Sequence, residues 1–232
     1  MQVSLCLFGD SVAKGVVLDN VKNKYIFLKD SFANAFAAAT GVAVDNFAKF
    51  GCTIVKGLEI ASKRADMLKD YDFVVLEFGG NDCNFNWAEI AKAPDAQHLP
   101  ATPLDEFEAS YRSLIEGIRS KGARPLMFNL PPIDSKRFFD WVSKGLNAEN
   151  ILKWLGDVEH IYRWHRGYND AVCRIAEETG TPLIDIRSSF LNLTDYREFI
   201  CEDGMHPNLK GHKLIFETIR RYAATMAPEI MA

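Results

Sequence analysis

Residues 3–15 read VSLCLFGDSVAKG, an apolar run that breaks within three residues into Gly9, Asp10 and Ser11. The run does not alternate cleanly between polar and apolar side chains, which is the pattern of a strand covered on both faces. Such strands belong to parallel sheets with helices packed on each side. In these sheets ligands bind beyond the carboxyl ends of the strands. A strand that ends on a small residue, an acid and a hydroxyl therefore delivers three useful groups to the edge where chemistry is done.

Working outward, similar short runs rich in Val, Ile, Leu and Phe recur at 42–47, 73–78, 125–130 and 182–186. Helical spacing fills the intervals. Asp30 is placed to cap SFANAFAAAT, which Gly41 ends. Thr102, followed by Pro103 and with Asp105 three residues on, resembles a capping box for a helix running to Gly122. Residues 157–179 read as a further helix stopped by Gly180, and Pro207 is expected to open a last one reaching about Met226. Strands alternating with crossover helices specify an α/β class: a three-layer α/β/α sandwich around a mainly parallel five-stranded sheet, formed by one domain over residues 1–232.

Residues 131–168 interrupt the pattern. Pro131 and Pro132 open a stretch carrying Phe138, Phe139, Trp141, Trp154, Tyr162, Trp164 and Tyr168, too long for a simple connection. It reads as an elaborated insertion with a helix of its own. Ile151, Trp154, Leu155, Val158 and Tyr162 fall on one helical face, so local core is the first expectation, compatible with a substrate-lining role.

Of the 232 residues, 48% are hydrophobic, enough to fill a substantial core, and the formal net charge of -4 gives no electrostatic footprint for nucleic acid or an anionic membrane. The expected partner is a small, roughly neutral molecule, with no nucleic acid and no membrane insertion. Five cysteines (Cys6, Cys52, Cys83, Cys173 and Cys201) form no CxxC pair and are odd in number, arguing against a disulfide framework or structural zinc. No secretory leader or membrane-length apolar run is visible, and cytoplasmic residence is the expectation.

The loops after the strands carry complementary chemistry. A serine such as Ser11 is a weak nucleophile until a base takes its proton, and His206 supplies an imidazole for that task. Asp203, three residues earlier in EDGMHPN, is placed to bond the other ring nitrogen and fix the tautomer. An oxyanion formed on a substrate carbonyl needs donors. The backbone N–H groups of Ser11 and Gly51 and the side-chain amide of Asn81, in FGGNDCN, are the candidates. No metal or organic cofactor is needed for such a site.

These blocks, Gly9-Asp10-Ser11, Gly51, Gly79-Gly80-Asn81-Asp82 and Asp203-Gly204-Met205-His206-Pro207, stand in the order and spacing of the GDSL or SGNH hydrolases, which the chain resembles over most of its length. The resemblance implies a flavodoxin-like three-layer fold and hydrolysis of esters or thioesters. It also implies Ser11 as nucleophile, His206 and Asp203 as its partners, and Ser11, Gly51 and Asn81 as the oxyanion hole. It assigns no motif to 131–168.

Plainer readings exist for each residue. Ser11 is a good helix N-cap, the glycines suit turns, and His206 beside a helix start is an ordinary surface pattern. His98, His160, His165 and His212 compete as bases. His212 falls on another side of the last helix, and His160 and His165 lie in the elaborated helix with no acid poised in the way Asp203 is. Asp10 and Asp82 read as structural carboxylates accepting backbone N–H bonds, and Cys52 and Cys83 as packing residues. The chain has no G-x-G-x-x-G after its first strand, no G-K-[ST] and no G-x-S-x-G elbow. The expectation is a serine esterase acting on short-chain acyl or acetyl esters of a sugar or small metabolite. An acyltransferase or thioesterase on the same site, or a binding module without turnover, are the alternatives.

Overall fold

The computed structural model describes residues 3–226. β1 (Ser4–Gly9) gives way to one turn of helix, α1 (Ser11–Lys14), and then to β2 (Val16–Asp19) and β3 (Lys24–Phe27). There follow α2 (Phe32–Thr40), β4 (Ala43–Asn46), α3 (Ile54–Ser62), β5 (Phe73–Glu77), α4 (Trp87–Lys92) and α5 (Leu104–Ser120). The remainder is β6 (Arg124–Phe128), α6 (Ser135–Val142), α7 (Ala148–Leu155), α8 (His160–Thr179), β7 (Leu183–Ile184), α9 (Ile186–Leu191) and α10 (Leu209–Met226).

All five expected strands form one sheet in the order β4-β1-β5-β6-β7, and every neighbouring pair is parallel. Period-2 geometry explains why their sequences are continuously apolar. Cys6, Phe8, Val74, Leu76 and Met127 face a core built with α3, α5 and α8, whereas Leu5, Leu7, Phe73, Val75, Leu126 and Phe128 face a second core with α2, α9 and α10. The central strands β1, β5 and β6 are thus buried on both sides, whereas the edge strand β4 stays partly exposed. A fully buried Phe or Leu such as Phe8 or Leu76 contributes about 1.5–3 kcal/mol relative to exposure, so both layers hold the sheet.

Several boundaries differ from expectation, each for a local reason. Ser31, not Asp30, caps α2: its backbone is extended and its hydroxyl accepts from the Asn34 N–H at 3.5 Å. Thr102 is buried and locked in the preceding loop, its N–H on the Asp82 carbonyl at 3.0 Å and its own carbonyl under the Tyr168 hydroxyl at 2.6 Å, so α5 starts after Pro103. Pro207 bridges to Ile200 as extended backbone. α10 instead begins after Asn208, whose side chain accepts from the Gly211 N–H at 3.2 Å. The insertion holds two helices, α6 and α7, before α8. Gly156, at φ +77°, separates α7 from α8, so Ile151, Trp154 and Leu155 lie on one helix, Tyr162 on the next, and Val158 in the turn between.

The antiparallel hairpin β2–β3 was not anticipated. Its register pairs Val16 with Phe27 and Leu18 with Tyr25, and Asp19 tightens the turn by accepting from the N–H groups of Val21 and Lys22, both at 3.0 Å.

Candidate active site

At the end of β1 the chain has almost no room. A Cβ on Gly9 would lie 2.6 Å from the Ala13 Cβ and 2.7 Å from the Glu77 carbonyl oxygen, so only glycine lets β1 turn into α1 beside β5. Asp10 caps α1 by accepting from the Val12 N–H at 2.8 Å. The capping role open to Ser11 is therefore taken by its neighbour. Ser11 becomes the first helical residue, with its hydroxyl turned to another partner.

That partner is His206. Ser11 Oγ lies 2.8 Å from His206 Nε2, across 195 residues of sequence. His206 Nδ1 lies 2.7 Å from Asp203 Oδ2, and Asp203 Oδ1 accepts from the N–H groups of Met205 at 2.9 Å and His206 at 3.1 Å. All three side chains are buried. Burial alone would raise the Asp203 carboxyl. The bond and charge of His206 and the two backbone N–H groups outweigh it and hold the carboxyl below the ordinary carboxylate range. An acid that stays ionised there can orient the imidazole and balance a charge forming on it.

Of the three expected donors, Ser11 and Asn81 line the same cleft, whereas Gly51 lines a neighbouring depression that shares Asn81. Asn81 Nδ2 donates to Asp10 Oδ2 at 3.0 Å, which uses one amide hydrogen and leaves the other. The backbone N–H groups of Ser11 and Gly51 donate no hydrogen bond among the described residues. Gly51 sits at φ +69° after β4, and Asn81 borders both the cleft that contains Ser11 and a shallower depression lined by Gly51.

Asp10 and Asp82 are structural carboxylates, as expected, but with a third acid between strand and helix. Glu77, at the end of β5, accepts from the Ala13 N–H at 3.1 Å and hydrogen-bonds Asp10. Burial, then the adjacent Asp10 charge, push Glu77 well above its ordinary value, and burial raises Asp10 as well, so the two carboxyls titrate as one coupled pair. Asp82 accepts from the Ile54 N–H at 2.9 Å at the start of α3, and burial pushes it up to about 6.

The competing histidines are accounted for. His212 is enclosed, stacked on Phe32, and accepts from the Phe32 N–H at 3.4 Å, with burial driving its pKa to about 4. His98 lies on the exposed carbonyl of Ala93, away from the Ser11 cleft. His160 and His165 line the cleft, yet neither has a carboxylate partner like Asp203. Burial pushes the Cys52 thiol up to about 11 and raises Cys83 further, which fits packing residues. Among the described residues no group of three His, Cys, Asp or Glu side chains is placed to hold a metal ion.

Sequence reasoning missed two parts of this site. First, the insertion supplies one side of the cleft: from Ser11 and His206 the cleft extends between Phe85, Trp87 and Leu130 on one hand and Ile133, Phe138, Leu155, Ile161 and Trp164 of 131–168 on the other. Ile133, Phe138, Leu155 and Ile161 pack as local core, as expected of 131–168, and also border the cleft. Second, the hairpin brings Tyr25 edge-on to the His206 ring at 5.1 Å, while half-exposed Phe50 stacks over that ring at 6.2 Å. VVLD and KYIF flank the turn in sequence, but four residues a side give a signal too short to separate from loop.

The chain spans 62% of the length of a curated relative, a GDSL esterase/lipase CPRD49 from Arabidopsis thaliana, with 23% identity over 74% of this chain. Among solved structures, a lipase/acylhydrolase from Enterococcus faecalis superposes with a TM-score of 0.67 at 22% identity, covering 96% of this chain and 95% of that one. A catalytic mutant of Axe2, an acetylxylan esterase from Geobacillus stearothermophilus, gives 0.65 at 18% identity, covering 99% and 95%. Both likenesses are in fold. Among the described residues no helix is long and apolar enough to cross a membrane. With residues 7–214 matched, the chain belongs to the GDSL-like Lipase/Acylhydrolase family.

Proposed function

We propose that this protein hydrolyses carboxylic esters of small molecules through Ser11, His206 and Asp203. The observation that carries the reading is the unbroken bond chain from Ser11 Oγ through both nitrogens of His206 to Asp203, at 2.8 and 2.7 Å. Ser11 Oγ attacks the ester carbonyl carbon as His206 Nε2 takes its proton. The oxyanion accepts from the free N–H groups of Ser11 and Gly51 and the remaining amide hydrogen of Asn81. The alcohol then leaves with the proton from His206, and water attacks the acyl-enzyme by the same route. Each oxyanion donor of this kind is worth about a hundredfold or more in rate.

The cleft refines the acyl group. An acetyl group would leave the wall formed by Ile133, Phe138, Leu155 and Trp164 unfilled, whereas a longer or aromatic acyl chain buries that surface at about 25 cal/mol per Å². Medium-chain or aryl acyl esters are thus favoured over the short-chain acyl or acetyl esters expected from the sequence. The likeness to an acetylxylan esterase supports the smaller group instead. Turnover of p-nitrophenyl acetate, butyrate and hexanoate by wild type and Ser11→Ala tests both points. The reading expects kcat/KM to rise with chain length and to vanish in Ser11→Ala. Undiminished turnover by Ser11→Ala would remove Ser11 from the mechanism.

A further inference from the structure

The cleft reaches α8, where His165 forms part of its wall. The residue is only 5% exposed, and neither ring nitrogen makes a hydrogen bond among the described residues. Nδ1 is fully enclosed without a partner; Nε2, equally unbonded, is not enclosed. Nearby, Arg187 is also 5% exposed. Its Nη1 donates to the carbonyls of Leu130 at 3.3 Å and Pro131 at 3.4 Å, and its Nη2 is left without a partner. A polar ring set into a wall of Leu130, Ile161 and Trp164 is costly to leave unpaired.

Nothing in the chain relieves that cost. Burial and, second, the Arg187 charge drive the His165 pKa down to about 3, so the ring is neutral at physiological pH and offers one donor and one acceptor. His165 is also poorly suited as a second base, since it lacks an acid like Asp203. What a neutral imidazole in an apolar cleft suits is recognition. A hydroxyl group, both donor and acceptor, pairs with Nε2, the nitrogen that is not enclosed, in either tautomer.

We propose that His165 is a specificity-determining residue that hydrogen-bonds a hydroxyl carried on the acyl chain, so that hydroxyacyl esters are preferred over plain alkyl or aryl ones. The proposal rests on the ester-hydrolase reading for its chemistry but not for its binding test. A site with an unpaired polar group discriminates strongly against a ligand that leaves it unpaired, which here means about tenfold or more.

Matched p-nitrophenyl esters supply the test: hexanoate beside its 3-hydroxy and 6-hydroxy derivatives, and 3-phenylpropanoate beside its 4-hydroxyphenyl counterpart. Wild type is expected to favour at least one hydroxylated member by about tenfold in kcat/KM. His165→Phe should level that ratio to within about threefold, and His165→Gln should restore part of it. Titration of Ser11→Ala with the same esters should give the same order of affinities. Ratios within about twofold for every pair in wild type, or a preference that survives His165→Phe, would overturn the proposal. If wild type cleaves none of the esters, the hydrolase reading fails alone, and the affinities of Ser11→Ala still decide the role of His165.

Discussion

The Asp134 N–H donates to the Gly204 carbonyl at 2.8 Å, fastening the insertion to the loop that carries Asp203 and His206. Arg137 adds to the brace by donating to the carbonyls of Arg197 at 2.9 Å and Ile200 at 3.2 Å. The insertion thus has two duties, lining the cleft and holding the base in place. Gly204 sits at φ +75°, and a Cβ there would lie 2.3 Å from the Phe138 nitrogen and 2.6 Å from the Asp134 oxygen. Gly204→Ala is expected to lower Tm by several degrees and kcat by at least tenfold, as backbone rather than a flexible side chain must move. Unchanged melting and turnover would show that the brace is dispensable.

Replacing Asp203 by Asn keeps the shape of the loop but removes the charge that orients and balances His206. A loss in kcat of about 10³–10⁴ is expected with little change in the circular dichroism spectrum. Because the native carboxyl is held below its ordinary range, its ionisation stabilises the fold above the unfolded pKa, and that contribution disappears as pH falls through the native value. The stability gap between wild type and Asp203→Asn should therefore narrow on acidification below about pH 4. A gap that widens in acid would contradict the electrostatic account of this loop.

Asp82 behaves in the opposite sense. Its native pKa, about 6, exceeds the ordinary 3.8, so between those values the folded chain binds a proton the unfolded chain has released, and stability falls as pH rises through the window. The difference is worth roughly 3 kcal/mol at most. Asp82→Asn keeps an acceptor for the Ile54 N–H without a charge, and should gain on wild type progressively from pH 4 to 7. Chemical denaturation across that range measures it; parallel curves would assign no proton to Asp82.

Glu77 is expected to tolerate one change and not another. Glutamine resembles the protonated acid, accepting from the Ala13 N–H while donating toward Asp10, so Glu77→Gln should keep kcat within about threefold. Glu77→Ala leaves that N–H unpaired and opens a cavity beneath Asp10, at a cost of about 2–4 kcal/mol. If Glu77→Gln were as damaging as Glu77→Ala by kinetics and melting, Glu77 would have to be ionised in the native protein.

The sheet and the bond chain of the site were legible because each is written locally. Runs such as VSLCLF and FVVLEF are mostly apolar and do not alternate since both faces are covered, and Ser11, Asn81 and His206 each stand where such a strand ends or the last helix is about to begin. What was not legible depends on where elements meet. The ladder from Val16 to Phe27 is four residues a side, too short for periodicity to separate from loop, although it sets Tyr25 against His206. The helical face drawn through Ile151 and Tyr162 ignored the turn at Gly156, so the way those side chains enclose the cleft could not be oriented. His165 looked idle in sequence because its unpaired state exists only once α8 is packed against the loop after β6.

The central claim is that the hydroxyl of Ser11 is activated by His206, and a fluorophosphonate ester that traps activated serines tests it most directly. Intact-mass and peptide analysis of the treated protein is expected to show one adduct, on Ser11, formed rapidly by wild type and at least a hundredfold more slowly by His206→Ala. Absence of an adduct on Ser11 in folded wild type, or labelling that is indifferent to His206→Ala, would contradict the account.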